Sequence, residues 1–139
     1  MSEKVSEVAR QQLRELHSLQ LRLHKILMDG ARAEYEDRNG KVSPNELLQL
    51  LISDSRFAWL RTISQLLADI DEVLSPRREG TEEQAQVLLR HARSLYFGSG
   101  SSSEFRAKYH QAMQENVEVV VLHGQIRKIL DSVEMENGQ

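Results

Sequence analysis

The chain has no cysteine in its 139 residues, which excludes disulfides, thiolate metal ligands and a cysteine nucleophile. Only two prolines, Pro44 and Pro76, interrupt it. Aromatic residues make up 5% of the chain, with a single tryptophan at Trp59, so any aromatic cluster must be small. Neither sign of charge dominates: 18 Lys and Arg against 21 Asp and Glu leave a formal charge of −3. That balance offers no global attraction to nucleic acid or to an anionic membrane. No apolar run approaches the roughly 18 residues a membrane span needs. The segment Met1-Ser2-Glu3-Lys4-Val5 lacks the apolar core of a secretory signal. These absences lead to the expectation of a single domain over 1–139, cytoplasmic, with no nucleic-acid and no membrane partner.

What is present points to helices. Hydrophobic residues make up 40% and charged residues 28%, which suits a folded soluble domain. Long leucine-rich stretches carry three- and four-residue spacing. A first helix is predicted from about Glu3 to Arg38, with Val5, Ala9, Leu13, Leu16, Leu23, Ile26, Leu27 and Gly30 on its buried side. Asn39-Gly40 stops it. Ser43-Pro44-Asn45-Glu46 carries a capping serine, a first-turn proline and a glutamate placed to close a capping box, so a short helix should follow to about Ile52. Thr81-Glu82-Glu83-Gln84 repeats the signal for a helix reaching Leu95 or Phe97.

The hydrophobic pattern loses phase at Ser53-Asp54-Ser55. Leu47, Leu50 and Leu51 precede it; Leu60, Ile63, Leu67, Ile70 and Leu74 follow. Continued as one helix at about 100° per residue, the two stripes would face roughly 160–180° apart. The chain must therefore turn a corner here, with Asp54 or Ser53 as cap for a helix that ends before Pro76. Gly98–Ser103 reads as a flexible connector, with Ser101 and Glu104 placed for a capping box. The last helical region runs from Phe105 to about Val133, with a seam of Val119, Leu122, Ile126, Ile129 and Val133 and a possible break at Asn116 or Gly124. The expected fold is all-α: an antiparallel helical bundle of about four arms, the second broken near 53–55.

Phe57-Ala58-Trp59-Leu60-Arg61, with Ser64, Leu66 and Ile70-Asp71-Glu72, resembles a segment found in small bacterial helical proteins of unassigned function. The resemblance implies a bacterial cytosolic setting and carries no activity or site residues.

Motifs that carry chemistry are sparse. His17 and His24 share a helix face but lie about 10 Å apart along it, too far for one metal. No histidine stands three places after Glu15, Glu34, Glu104 or Glu115, so the Glu-x-x-His pairs of di-iron bundles are missing. His91, His110 and His123 could join His17 or His24 only across the bundle, and neither a metal nor a cofactor is expected. The Gly98–Ser103 loop lacks the lysine of a P-loop, and no G-x-S-x-G nucleophile elbow exists. Arg10, Arg14, Lys25 and Arg32 form a basic stripe. An antiparallel hairpin about Gly40 would set Arg10 and Arg14 opposite Asp69, Asp71 and Glu72, with Asp71 partly buried.

The expected function is that of a non-enzymatic helical interaction protein, a small regulator or adaptor with a protein partner or a second copy. Val117, Val120 and Val121 lie off the last seam and would supply its surface. The alternative is a bundle that binds a small apolar ligand or cofactor in a pocket near the 53–59 break. The residues marked for a binding corner are Asp29, Gly30, Arg56, Phe57 and Trp59. Asp29 would reach Arg56, and the small Gly30 would allow close approach of the bent chain.

Overall fold

The computed structural model describes residues 3–78 and 80–136; Met1, Ser2, Glu79 and residues 137–139 of the expected domain lie outside it. It holds six α-helices: α1 (Glu7–Asn39), α2 (Pro44–Ser53), α3 (Ala58–Leu74), α4 (Glu82–Phe97), α5 (Ser103–Glu115) and α6 (Val117–Glu136). Helices α1, α3, α4 and α6 each pack against the next, closing a four-membered ring, while α2 and α5 are short connectors on its outside. Side-chain pairs fix the directions. His17 meets Asp71 and Tyr35 meets Phe57, so α1 and α3 are antiparallel. Gln12 meets Ser132 and Arg22 meets Glu118, so α1 and α6 are antiparallel too. Ser6 with Glu82 and Gln20 with Tyr96 set α1 and α4 parallel across the diagonal. The result is an up-down-up-down four-helix bundle.

Local chemistry explains most element boundaries. Ser43 and Glu46 close a capping box on α2, and Thr81 and Gln84 close one on α4. Gly40 ends α1 with a φ of 81°, which glycine adopts without the steric cost other residues meet. Asp54 accepts from the Arg56 N–H at 2.8 Å and caps a single 3-10 turn over Ser55–Phe57, which leads into α3. The Arg61 guanidinium donates to the Leu51 carbonyl at 2.9 Å, satisfying the end of α2. The phase break is thus a capped corner, with Phe57 and Trp59 buried behind it.

Three expectations need correction, and one of the two breaks expected in the last region is found. α1 begins at Glu7 rather than Glu3, because Ser6 caps it and Lys4 pairs with Thr81 as a short antiparallel bridge. The capping serine of α5 is Ser102, which accepts from Phe105 N–H; Ser101 is buried instead. Asn116, and not Gly124, breaks the last region. It is a one-residue turn that folds α5 back on α6, so residues seven before and seven after it, Tyr109 and His123, touch. Finally, the arginine network opposite the acids of α3 does not form. The corner helix shifts the α1–α3 register, so His17 meets Asp71 at 3.0 Å, and Asp71 is 70% exposed. Among the described residues the side chains of Arg10 and Arg14 have no ion pair, while Lys25 pairs with Asp29 and Arg32 with Glu36 along their own helix.

The core is one continuous cluster through all four long helices. The predicted seam of α6 is buried throughout, as are Leu60, Ile63, Leu67 and Ile70 of α3. No helix among the described residues is long and apolar enough to cross a membrane.

Candidate functional site

A cleft of about 390 Å³ opens where the corner meets the C-terminal half of α1 and the end of α5. Gly30, Arg56, Phe57 and Trp59, four of the five residues marked from sequence, line it. Asp29 does not. At about 100° per residue it lies roughly on the opposite side of α1, where it pairs with Lys25 at 3.2 Å. The residue that faces the corner is Tyr35, whose ring lies 6.0 Å from that of Phe57. Gly30 also plays a different part from the one expected. A Cβ placed on it would meet nothing within 4 Å, so it leaves open space and brings no close approach.

The floor of the cleft is apolar, with Ile26, Leu27, Ala31 and Val119 beside the aromatic groups. Its rim is charged and polar: Glu34, Arg38, Arg56, Lys108 and Glu115, with amides from Gln111, Asn39 and Asn116. Arg56 is held in a fixed pose. Its Nε and Nη2 donate to the two carboxylate oxygens of Asp54 at 3.0 and 2.8 Å, and its guanidinium lies 4.7 Å from the Tyr35 ring centre. These hydrogen bonds, first from the guanidinium and then from the Arg56 N–H, pull the Asp54 carboxyl down to about 2. The cation and the corner cap are therefore one unit, built on the residue that breaks the helix.

A second group of polar residues lies inside the bundle, and the periodicity gave no sign of it. Tyr96 donates to the Gln20 side-chain carbonyl at 2.7 Å, in a fully buried setting. Tyr109 sits 2.8 Å from Nδ1 of His123. Burial pushes the Tyr109 hydroxyl well above its usual range, so the phenol keeps its proton beside the imidazole. The Phe105, Tyr96 and Tyr109 rings pack against one another around this point. His24 Nε2 and Gln20 Nε2 are buried without a hydrogen-bond partner. Gln20 occupies a seam position between Leu16 and Leu23, where a 3.6-residue pattern calls for an apolar side chain. The other histidines lie outward: His17 on Asp71, His110 beside Gln114, and His91 exposed.

Burial lowers the pKa of His24, and burial followed by the charge of Arg127 lowers that of His123. An unfolded chain, with histidines near 6.5, then takes up more protons on acidification than the folded one. Stability should be complete above about pH 6.5 and fall as pH drops toward the lower folded values. Thermal melts between pH 7.5 and 5 should show a falling midpoint, and His24→Leu should flatten part of that slope. A midpoint that stays level through this window would mean that neither ring is held neutral by the fold.

No family model matches this chain, and neither a curated protein nor a solved structure does.

Proposed function

We propose that this chain is a non-enzymatic binding protein of the bacterial cytoplasm, and that the corner cleft is where it binds a small amphipathic ligand. The cleft carries this reading. Its volume of about 390 Å³ falls among ligand pockets, which combine an apolar, aromatic floor with a few polar groups. Trp59, the only tryptophan, lines it and gives a built-in reporter. The neutral fluorophore N-phenyl-1-naphthylamine should bind saturably at one site per chain and draw energy transfer from Trp59. Gly30→Leu should weaken that binding at least tenfold, because the new side chain enters open space in the cleft without a clash. Its thermal midpoint should not fall. Absence of saturable binding, or binding untouched by Gly30→Leu in a folded protein, would overturn the assignment.

A second reading, as an interaction protein that pairs with another copy, has its own support. Val117 is 79% exposed at the start of α6, with Val120 and Val121 exposed beside it. β-Branched residues so placed gain from a covering surface. Light scattering at rising concentration should then show a dimer that Val117→Lys with Val121→Lys disperses. A strict monomer counts against this reading alone.

A further inference from the structure

The rim of the cleft bears on the chemistry of its occupant, provided that the cleft is the binding site. Net charge does not decide the matter, since Glu34 and Glu115 offset much of Arg38, Arg56 and Lys108. Orientation does. Glu115 already accepts from Gln111 at 3.0 Å. Asp54 spends both carboxylate oxygens on Arg56 and is only 20% exposed along its side chain, whereas Arg56 is 57% exposed. Two of the five guanidinium N–H groups go to Asp54 and the Tyr35 hydroxyl can draw on a third, which leaves two for another acceptor. Packing on Tyr35 and the Asp54 fork hold the group in one pose, so little further rotamer freedom is lost when it binds. Of the other cations that line the cleft, the side chains of Arg38 and Lys108 have no ion pair or hydrogen bond among the described residues.

We infer that the cleft selects an amphipathic organic anion, a carboxylate carried on an apolar body, with Arg56 as its anchor. The apolar body lies over Phe57 and Trp59, and the carboxylate takes the free edge of the guanidinium at the lip, with Arg38 and Lys108 adding positive potential. A carboxylate suits this edge better than a neutral polar head, because it pairs charge with charge and its two oxygens can accept two parallel N–H bonds from the guanidinium, where a hydroxyl offers one uncharged oxygen.

Three probes with one chain length separate the possibilities: octanoate, 1-octanol and octylammonium, each titrated against Trp59 emission. None of them absorbs where tryptophan does. Octanoate should bind about tenfold tighter than 1-octanol, and octylammonium more weakly than either. Arg56→Gln should bring octanoate to within about twofold of 1-octanol while leaving 1-octanol unchanged. Circular dichroism checks that this exposed substitution leaves the fold in place, and Arg56→Met serves if it does not. Equal binding of octanoate and 1-octanol in the natural protein overturns the anion assignment and leaves the cleft as a site. A preference that survives Arg56→Gln, or a preference for octylammonium, also overturns it. If none of the three probes binds, the cleft reading fails and the anion assignment falls with it.

Discussion

Truncating Phe105 to alanine should cost about 3–5 kcal/mol and detach α5 from the bundle. Phe105 is 2% exposed and lies in the first turn of α5, directly after the Ser102 cap. Its ring meets those of Trp59 and Tyr96 edge-on at 6.1 and 6.3 Å and stacks with Tyr109 at 5.4 Å. These contacts come from α3, α4 and α5, so a single side chain ties three elements. The second reason for a large effect is the poverty of α5. Phe105 and Tyr109 are its only buried residues, and besides them only Ala112 and Met113, both partly buried, pack against the core. A helix of 13 residues is marginal in water on its own, so losing one of two anchors should release it well before the bundle unfolds. Urea unfolding measures the loss, and hydrogen exchange over 103–115 should rise more than exchange in α1 or α3. The same release removes the α5 wall of the cleft, so ligand binding should fall together with α5 protection. A cost below about 1 kcal/mol would mean that α5 contributes little to the cooperative core.

The fate of α5 also shows which parts of this fold were legible beforehand. Where structure is local, the residues announce it. The Ser43 and Thr81 boxes, the stop at Gly40 and the corner at Asp54 each rest on a side chain bonding within a few residues of itself, and each lies where the pattern places it. The position of the cleft followed from the same corner, since a chain that turns there cannot fill the space on both sides. What was not legible depends on register between distant segments. Counting back from Gly40, as though α2 and α3 formed one straight arm, sets Asp29 opposite Arg56. The corner moves the true partner to Tyr35. The same shift replaces Arg14 by His17 opposite Asp71. The hold of Ser6 on Glu82 is another case, because a polar residue bonding 76 positions away leaves no periodic trace. Asn116 marks an intermediate kind. A single asparagine marks the break, and its side chain accepts from the Glu118 N–H as α6 begins, but how far α5 folds back on α6 shows only in the Tyr109–His123 contact.

Gln20 is the clearest instance of a residue that pattern alone misplaces, and it yields the second large effect. It is 0% exposed on the α1 seam and bonds to Tyr96 on the diagonal helix, so the bond crosses the centre of the bundle. Burial pushes the Tyr96 hydroxyl well above its usual range, which keeps it a donor. Tyr96→Phe removes that donor and leaves the whole Gln20 amide, whose Nε2 is already without a partner, unsatisfied in the core. The expected loss is about 1–3 kcal/mol, the cost of a buried polar group stripped of its bond. Gln20→Leu alone should cost less. It strands the Tyr96 hydroxyl but replaces an amide by an apolar group of similar size. The double variant leaves neither group stranded and should return to within about 1 kcal/mol of the natural protein, so the two changes should be strongly non-additive. Urea midpoints of the four proteins measure this coupling. Additive losses would show that the bond contributes nothing in solution. Strong coupling with little net gain over the apolar pair points instead to register: a bond of one geometry between α1 and α4 selects a single vertical setting of one helix against the other. That setting also fixes Tyr96 against Phe105, and through Phe105 the wall of the cleft.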